Sequence, residues 1–403
     1  MKKTVIPIMA AIIFLPALMF AEAGKTGAGF LSLGNGARAA AMGEAQTAAA
    51  EGVSAIYWNP AGLGLTPAHE ITLTQVQYFE DVTEQYGGLA IPLKKGRLGG
   101  LGLSFTNFSV SNIEGRDAQS TRTGTVQEKD LSLQMSYGLR VLGEEDSYER
   151  DGLYLGAGIK RISEDLAGVS ANTMALDAGL QYRPGPKMVQ ACGEWVRRVS
   201  LGVSSLNMGK GLTFDREETP LPQEVKFGVG YTHFLWGDAL NLAMDISKPR
   251  DNRTRASGGG EFWIKNVFAV RAGYINDQDV GNGVRAGAGF RFQTMEVDYA
   301  WAAYGKQLGD THRFTLSFRF GEGAVAAYEG MKADLVKFHL SEAQDQLNAG
   351  SYHEAILEAN EILEVDPKNA EALHVLMEAG EKMKPVESLP EPGKPEEKNN
   401  ETK

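Results

Sequence analysis

The sequence predicts an all-β transmembrane barrel of about 14 antiparallel strands, with a small-residue N-terminal segment and a small α-helical C-terminal extension. Two observations carry this. From Leu131 to Val141 the odd positions are apolar (Leu131, Leu133, Met135, Tyr137, Leu139, Val141), and Ser132, Gln134, Ser136, Gly138 and Arg140 lie between them. Successive side chains of a strand point to opposite faces, so this is a ribbon with one oily and one polar side. The pattern recurs from about residue 70 to residue 320 in segments of the length that a tilted strand needs to cross a bilayer.

Composition is consistent with a barrel without announcing it. The 403 residues are 43% hydrophobic and 23% charged, and no internal apolar run reaches the length of a spanning helix. Glycine, at 48 residues, suits strands that curve or whose lumen admits another segment. A formal net charge of −11 argues against nucleic acid as a partner. Cys192 is alone, so it forms no internal disulfide and says nothing about redox compartment.

Residues 1–23 read as a secretory signal. Lys2 and Lys3 precede an apolar stretch from Val5 to Phe20, and Ala21-Glu22-Ala23 offers the small-x-small cleavage pattern, which places the mature start near Gly24. Residues 24–68 are rich in glycine and alanine and cannot build a core alone, but their small side chains allow close packing inside something else. This segment ends in Tyr57-Trp58-Asn59-Pro60-Ala61-Gly62-Leu63, where Pro60 and Gly62 punctuate a turn and the aromatic pair offers an anchor.

Gly29-Phe30-Leu31, Gly36-Ala37-Arg38, Met42-Gly43-Glu44-Ala45 and Asn59-Pro60-Ala61-Gly62-Leu63 together resemble the amino-terminal signature of PorV/PorQ-type outer-membrane proteins. More distantly the chain is similar to FadL-type long-chain fatty-acid transporters, which share the Asn-Pro-Ala-Gly turn. The resemblance spans roughly residues 24–320. It implies a fourteen-stranded barrel with residues 24–68 folded inside as a hatch. Arg38, Asn59, Pro60 and Gly62 are the hatch candidates, and the turn from Asn59 to Gly62 either stabilises the plug or touches cargo.

Counted without the family, strands start near Glu70, Gln85, Leu98, Glu128, Gly152, Ala171, Glu194, Pro222, Ala239, Ala256, Val267, Gly283, Met295 and Thr311 within residues 69–321. The count is even, as a closed single-chain bacterial barrel requires. Connections after odd strands include the long polar loops Val110–Gln127, Met208–Leu221, Lys248–Arg255 and Ile275–Asn282; those after even strands include the tight turns Lys94–Arg97, Ile264–Asn266 and Gln293-Thr294. Gly143–Asp151 and Pro184–Gly193 depart from the rule. Long loops facing outward would put both barrel ends in the periplasm.

The last strand presents Phe314, Leu316, Phe318 and Phe320 to lipid. The opposite face of the last strands carries Arg271, Arg285, Arg291, Glu296, Asp298, Arg313 and Arg319, a lumen charge network whose members pair with each other or with the hatch, or form a ladder for substrate. Gly99, Gly100 and Gly102 weaken the third strand. In FadL-type transporters an early-strand kink opens a sideways exit, so by resemblance these glycines mark either a gate or a small-residue wall against the hatch.

Residues 325–383 switch to helical period: Ala343, Leu347, Gly350, Tyr352, Ala355, Ala359, Leu363 and Pro367 resemble a tetratricopeptide repeat with its turn at Gly350-Ser351-Tyr352, and a further helix is expected from Asn369 to Lys382. Residues 384–403, rich in Pro, Glu, Lys and Asn, read as a disordered tail. No catalytic residues, metal ligands or cofactor motif stand out: the six histidines are scattered, no Gly-x-Ser-x-Gly elbow occurs, and Gly156-Ala157-Gly158 falls on a strand rather than before a helix. Two functional classes remain. One moves hydrophobic or amphipathic small molecules across an outer membrane through a hatch-gated lumen. The other is a scaffold or cargo-attachment component of a type IX-like secretion system, whose helical tail recruits periplasmic proteins. Outer-membrane lipid is a partner in both.

Overall fold

A computed structural model describes residues 25–79, 81–116, 119–143, 151–215, 217–235, 238–276, 282–304, 309–321, 336–337 and 339–383. The expected signal segment, the start of the helical extension and the tail at 384–403 lie outside the described residues. Contacts divide the chain into two compact units, residues 1–328 and residues 329–403.

The strands are β1 (His69–Gln77), β2 (Val82–Pro92), β3 (Gly100–Arg116), β4 (Arg122–Leu142), β5 (Gly152–Leu166), β6 (Val169–Arg183), β7 (Val199–Gly209), β8 (Leu212–Phe214), β9 (Glu217–Thr219), β10 (Glu224–Leu235), β11 (Asp238–Pro249), β12 (Arg255–Ile264), β13 (Phe268–Ile275), β14 (Val284–Phe292), β15 (Met295–Ala303) and β16 (Asp310–Phe320). All but β8 and β9 form one closed antiparallel barrel of fourteen strands. β1 pairs with β16 from His69↔Phe320 to Gln77↔His312, which leaves the sheet no open edge.

Burial along β4 is the reverse of a soluble sheet. Leu133 and Met135 are 50% and 51% exposed, whereas Ser132 and Ser136 are 3% and 2% exposed. On β16, Phe314, Leu316 and Phe318 are exposed while Arg313, Thr315 and Ser317 are buried. Apolar side chains outside and polar ones inside, on a closed cylinder, suit a hydrocarbon solvent. Among the described residues no helix is long and apolar enough to cross a membrane; the strands do the crossing.

Tight turns follow the local chemistry. Lys265 and Asn266 both have positive φ, the primed-turn geometry whose twist matches flanking strands. Three boundaries differ from the sequence expectation. The stretch 110–127 is not a loop, because β3 continues to Arg116 and β4 starts at Arg122, pairing Ile113↔Val126 and Glu114↔Thr125 between two register irregularities. Both faces of that hairpin are largely solvated, so its residues never needed to alternate. The seventh strand starts at Val199 rather than Glu194: the connection before it holds a helix, Pro186–Cys192, started by Pro186 in its first turn, and a 3₁₀ turn, Glu194–Arg198. The 208–221 loop contains the short hairpin β8–β9.

Residues 25–68 run through the barrel. Gly27 N donates to Pro220 O at 3.0 Å, and Thr26 hydrogen-bonds Asp251. These partners belong to the distal rim, opposite the proximal rim where β1 begins and β16 ends. Some forty residues later Ala68 leads into β1 at the proximal rim.

The second unit is helical. Residues 339–349, Tyr352–Val365 and Ala370–Met383 form helices around Ala343, Leu347, Ala355, Ala359, Ile362, Ala372, Val375 and Ala379. Gly350 (φ +81) ends the first of them. Asn369 Oδ1 accepts from Ala372 N at 3.0 Å and caps the last.

Candidate functional site: a lumen filled by the amino-terminal segment

The segment can fill the lumen because both surfaces are small at the points of contact. A Cβ on any of ten wall glycines, one per strand, would lie 2.0–2.8 Å from an atom of residues 41–63. They are Gly88, Gly100, Gly138, Gly156, Gly179, Gly202, Gly228, Gly259, Gly273 and Gly287, on β2–β7, β10 and β12–β14. At Gly138, Gly202 and Gly259 the obstructing atom is a plug carbonyl oxygen (Pro60, Thr47 and Met42 respectively). At six of the ten, Gly100, Gly138, Gly156, Gly202, Gly259 and Gly273, the nearest plug atom is a backbone atom, an approach that no larger residue allows. Alanines continue the contact: Ala300 of β15 packs on Ala37, Ala40 and Ala41, and Ala243 of β11 packs on Met42 and Ala45.

Polar pairs fix the plug at the same level. Asp245 Oδ2 accepts from Gln46 N and Thr47 N at 2.9 Å each and from Thr47 Oγ1 at 2.7 Å. Gln181, fully buried, donates to Thr47 O and Ala50 O. Gln134 donates to Ile56 O at 2.7 Å, and Glu70 accepts from Val53 N at 3.2 Å. Glu51 pairs with Arg183. Inside the segment, Trp58 Nε1 donates to Asn35 O at 3.0 Å and the Tyr57 hydroxyl to Leu31 O at 2.7 Å.

The Asn-Pro-Ala-Gly turn is part of this seal. Asn59 is completely buried; its Oδ1 accepts from Ala61 N at 3.2 Å, while Nδ2 faces Thr47 O, Leu180 O and Val203 O at 2.7, 3.1 and 3.3 Å. Leu180 and Val203 are cross-strand partners, so this side chain ties the turn to the β6–β7 seam. Pro60 opens the 3₁₀ turn Pro60–Leu65, and a Cβ at Gly62 would sit 2.0 Å from Ala50 O.

The charges form one connected cluster and two outliers. Arg38 holds Glu261 in a two-pronged pair, with both contacts at 2.8 Å. Arg271 reaches Glu261 and Asp298 at 2.6 Å and Glu296 at 3.6 Å; Arg291 reaches Glu296 at 2.8 Å; Arg319 links Glu296 to Glu70. Arg313 instead donates to Leu33 O and Gly34 O of the plug. Arg285 stands apart, its guanidinium 4.9 Å from the Tyr304 ring centre. The network thus pairs internally and grips the plug, two of the three roles that the sequence left open.

The three candidate gate glycines sit where the plug leaves. Gly99 (φ +77) ends the turn before β3; Cβ atoms at Gly100 and Gly102 would strike Leu63 O at 2.2 Å and Ile56 Cγ1 at 2.6 Å. The ladders on both sides run without a break from Gly100 to Val110.

Glu261, Asp245, Gln181, Gln134 and Glu70 escaped the sequence reading. Each sits on an inward-facing strand position, a usable signal for Gln134 but one erased around Glu261 by the glycines at 258–260. Above the seal lies an apolar cluster of Phe30, Leu31, Ile162, Leu212 and Leu221, with Leu33, Phe108 and Phe214 against it, so the β8–β9 hairpin roofs the plug. Below that roof a polar cavity beside Glu44, Lys226, Asp245 and Arg255 measures about 10 Å³, room for one water.

A family model described as "Type IX secretion system protein PorV" matches residues 21–248. No curated protein sequence matches the chain. Among solved structures, the Pseudomonas putida toluene transporter TodX is 13% identical, with a TM-score of 0.49 over 70% of this chain and 96% of that one. The CymD monoaromatic hydrocarbon channel gives 13% and 0.49 over 72% and 98%. A Pseudomonas aeruginosa FadL homologue gives 13% and 0.45 over 71% and 98%.

Proposed function

The chain belongs to the family of the type IX secretion system protein PorV, and from that premise we propose that this outer-membrane barrel is a sealed, non-catalytic platform of a protein secretion apparatus rather than a conduit. One observation supports this reading above the others: the plug meets wall glycines on ten strands, and buried polar pairs hold it there. Under this proposal the exposed β3–β4 hairpin at the distal rim faces outward and engages exported protein. The helical unit, which follows the strand that ends at the proximal rim, faces the periplasm and recruits partners there, resembling a tetratricopeptide repeat in that use. Residues 1–23 act as the cleaved export signal.

A second reading has a specific observation in its favour. The apolar cluster around Phe30, Phe108 and Phe214 lies just under the distal mouth and has the chemistry to receive a hydrophobic small molecule. Under this reading residues 24–68 form a movable hatch, and Arg38, Asn59, Pro60 and Gly62 control it.

Purified full-length protein separates the two. Liposomes containing the barrel are expected to show the hydrophobic-dye permeability of empty liposomes, while the barrel captures carboxy-terminal domains of secreted proteins. Deletion of residues 325–403 should abolish recovery of periplasmic partners in a pull-down with a tag after Lys403 moved to the truncated end. Rapid dye uptake with no capture would replace the platform with the transporter.

A further inference from the structure

The outer wall of β3–β6 carries a feature that neither reading uses. A groove of about 380 Å³ on the lipid-facing surface is lined by Leu103, Leu133, Met135, Ile159 and Met174, with Arg161 at its distal end. Arg161 is exposed on the outward face of β5, directly opposite Leu133 of β4 and Met174 of β6. Among the described residues no hydrogen bond or ion pair engages its guanidinium.

Depth matters for a cation in such surroundings. The next outward row towards the distal rim contains Ser163, Asn172 and Asn107 beside Leu131, so the apolar band ends one row beyond Arg161, about 7 Å along the strand. A guanidinium rooted there reaches the headgroup level while its stem stays in hydrocarbon. The next charges on that face, Lys129 and Asp165, are cross-strand partners of opposite sign, so they leave the positive charge of Arg161 uncompensated.

The geometry points to a binding site for an acyl lipid carrying a phosphate headgroup, drawn from the leaflet at the distal rim: one acyl chain lies in the groove and Arg161 holds the phosphate. The groove continues the lipid-facing surface, so its occupant comes from the membrane. The fork of guanidinium donors at one end suits phosphate, and the unbranched Met135 and Met174 side chains can adapt to an acyl chain.

The test uses the full-length protein in maltoside micelles, with folding checked by migration on unheated gels. Native mass spectrometry follows binding of lysophosphatidic acid and of a monoacylglycerol with the same chain. Wild type should bind one lysophosphatidic acid about tenfold more tightly than the monoacylglycerol. Arg161→Gln should erase that preference and keep the monoacylglycerol affinity. Met135→Trp, which fills the groove, should weaken both about tenfold. Lys248→Gln, a distal-rim cation on β11, should change neither, and inorganic phosphate should not displace the lipid. The proposal is overturned if wild type shows no preference, if Arg161→Gln retains it, if Lys248→Gln abolishes it equally, if Met135→Trp binds as wild type does, or if phosphate alone competes.

Discussion

Removing the Glu261 carboxylate tests whether the plug is fixed. Glu261 is 1% exposed and accepts from Arg38 Nε and Nη2 at 2.8 Å, from Arg271 Nε at 2.6 Å and from Asn241 Nδ2 at 3.0 Å. In Glu261→Ala, Arg271 keeps Asp298 and Glu296, but Arg38 is left facing another buried cation with no carboxylate between them. Breaking a buried pair by deleting one partner costs about 3–5 kcal/mol. The Arg38 side chain is 31% exposed, so water restores part of the loss and the lower end, about 3 kcal/mol, applies. At about 1.4 kcal/mol per tenfold, the loosened plug becomes roughly a hundred times more populated. Trypsin reads this directly, since Arg38 is itself a cleavage site and cleavage follows the open population when reclosing is fast. Cutting at Arg38 in the intact barrel should accelerate by about two orders of magnitude. Arg38→Met combined with Glu261→Met should recover the thermal stability that Glu261→Ala loses, because an apolar pair leaves no unpaired charge there while Arg271 keeps Asp298 and Glu296. Unchanged cleavage in Glu261→Ala would show that this pair does not hold the plug.

Other expected outcomes address separate parts of the argument. Asn59→Ala strips the shared donor from Thr47 O, Leu180 O and Val203 O and should cost about 1–3 kcal/mol, read as faster proteolysis within residues 25–68 with the barrel still folded; equal protection would make the turn a candidate for cargo contact instead. Gly202→Val places a branched side chain against the Thr47 backbone and should destabilise by about 1–3 kcal/mol or more, lowering the temperature at which the compact gel band is lost. Ala157→Lys puts a charge on the lipid face two rows deeper than Arg161 and should cost about 2–4 kcal/mol in refolding into vesicles, whereas the same change on a solvated surface would cost nothing. Ile362→Ala, at a fully buried position of the helical unit, should lower that unit's protease resistance by about 2–5 kcal/mol and leave the barrel's gel mobility unchanged.

The barrel was legible because lipid imposes a strict alternation wherever one face of a strand meets hydrocarbon. Of the fourteen expected strand starts, those at Gly152 and Met295 coincide with the structure, and most others fall within three residues. The rule fails where lipid is absent. In the β3–β4 hairpin, Ile113 and Val126 pair above the membrane band, and nothing forces their neighbours into register with an apolar solvent. Before β7, Glu194-Trp195-Val196 mimics the start of an amphipathic strand, but the backbone forms a 3₁₀ turn and Trp195 is left 61% exposed. The charged face of the last strands was also visible, since arginines in the phase opposite Phe314 and Phe318 have only the lumen to enter. Glu261 was not, because a run of glycines has no oily face to set the phase. The positions at which the segment of residues 25–68 threads the lumen follow from shape complementarity between distant backbones, which no local pattern records.

The wall glycines show how one composition supports two opposite mechanisms. Glycine in a strand either permits the sheet to break or permits something to approach it, and Gly99, Gly100 and Gly102 satisfy both descriptions in sequence. The hydrogen-bond ladder separates them: β3 stays paired to β2 and β4 from Gly100 to Val110, and the space above the missing Cβ atoms is occupied by Leu63 O and Ile56. The same occupancy recurs around the cylinder at Gly138, Gly156, Gly202, Gly259 and Gly273, far from any single lateral opening. A plug that moved would therefore have to vacate contacts on ten strands and, in the same step, release Asp245, Asn59 and Gln181 on one side and Arg38 and Arg313 on the other. These groups sit in one closed ring, so freeing one arc leaves the rest holding the chain in place. Local loosening at Arg38 is then expected without release at Asn59, the behaviour that the proposed platform requires and a movable hatch does not.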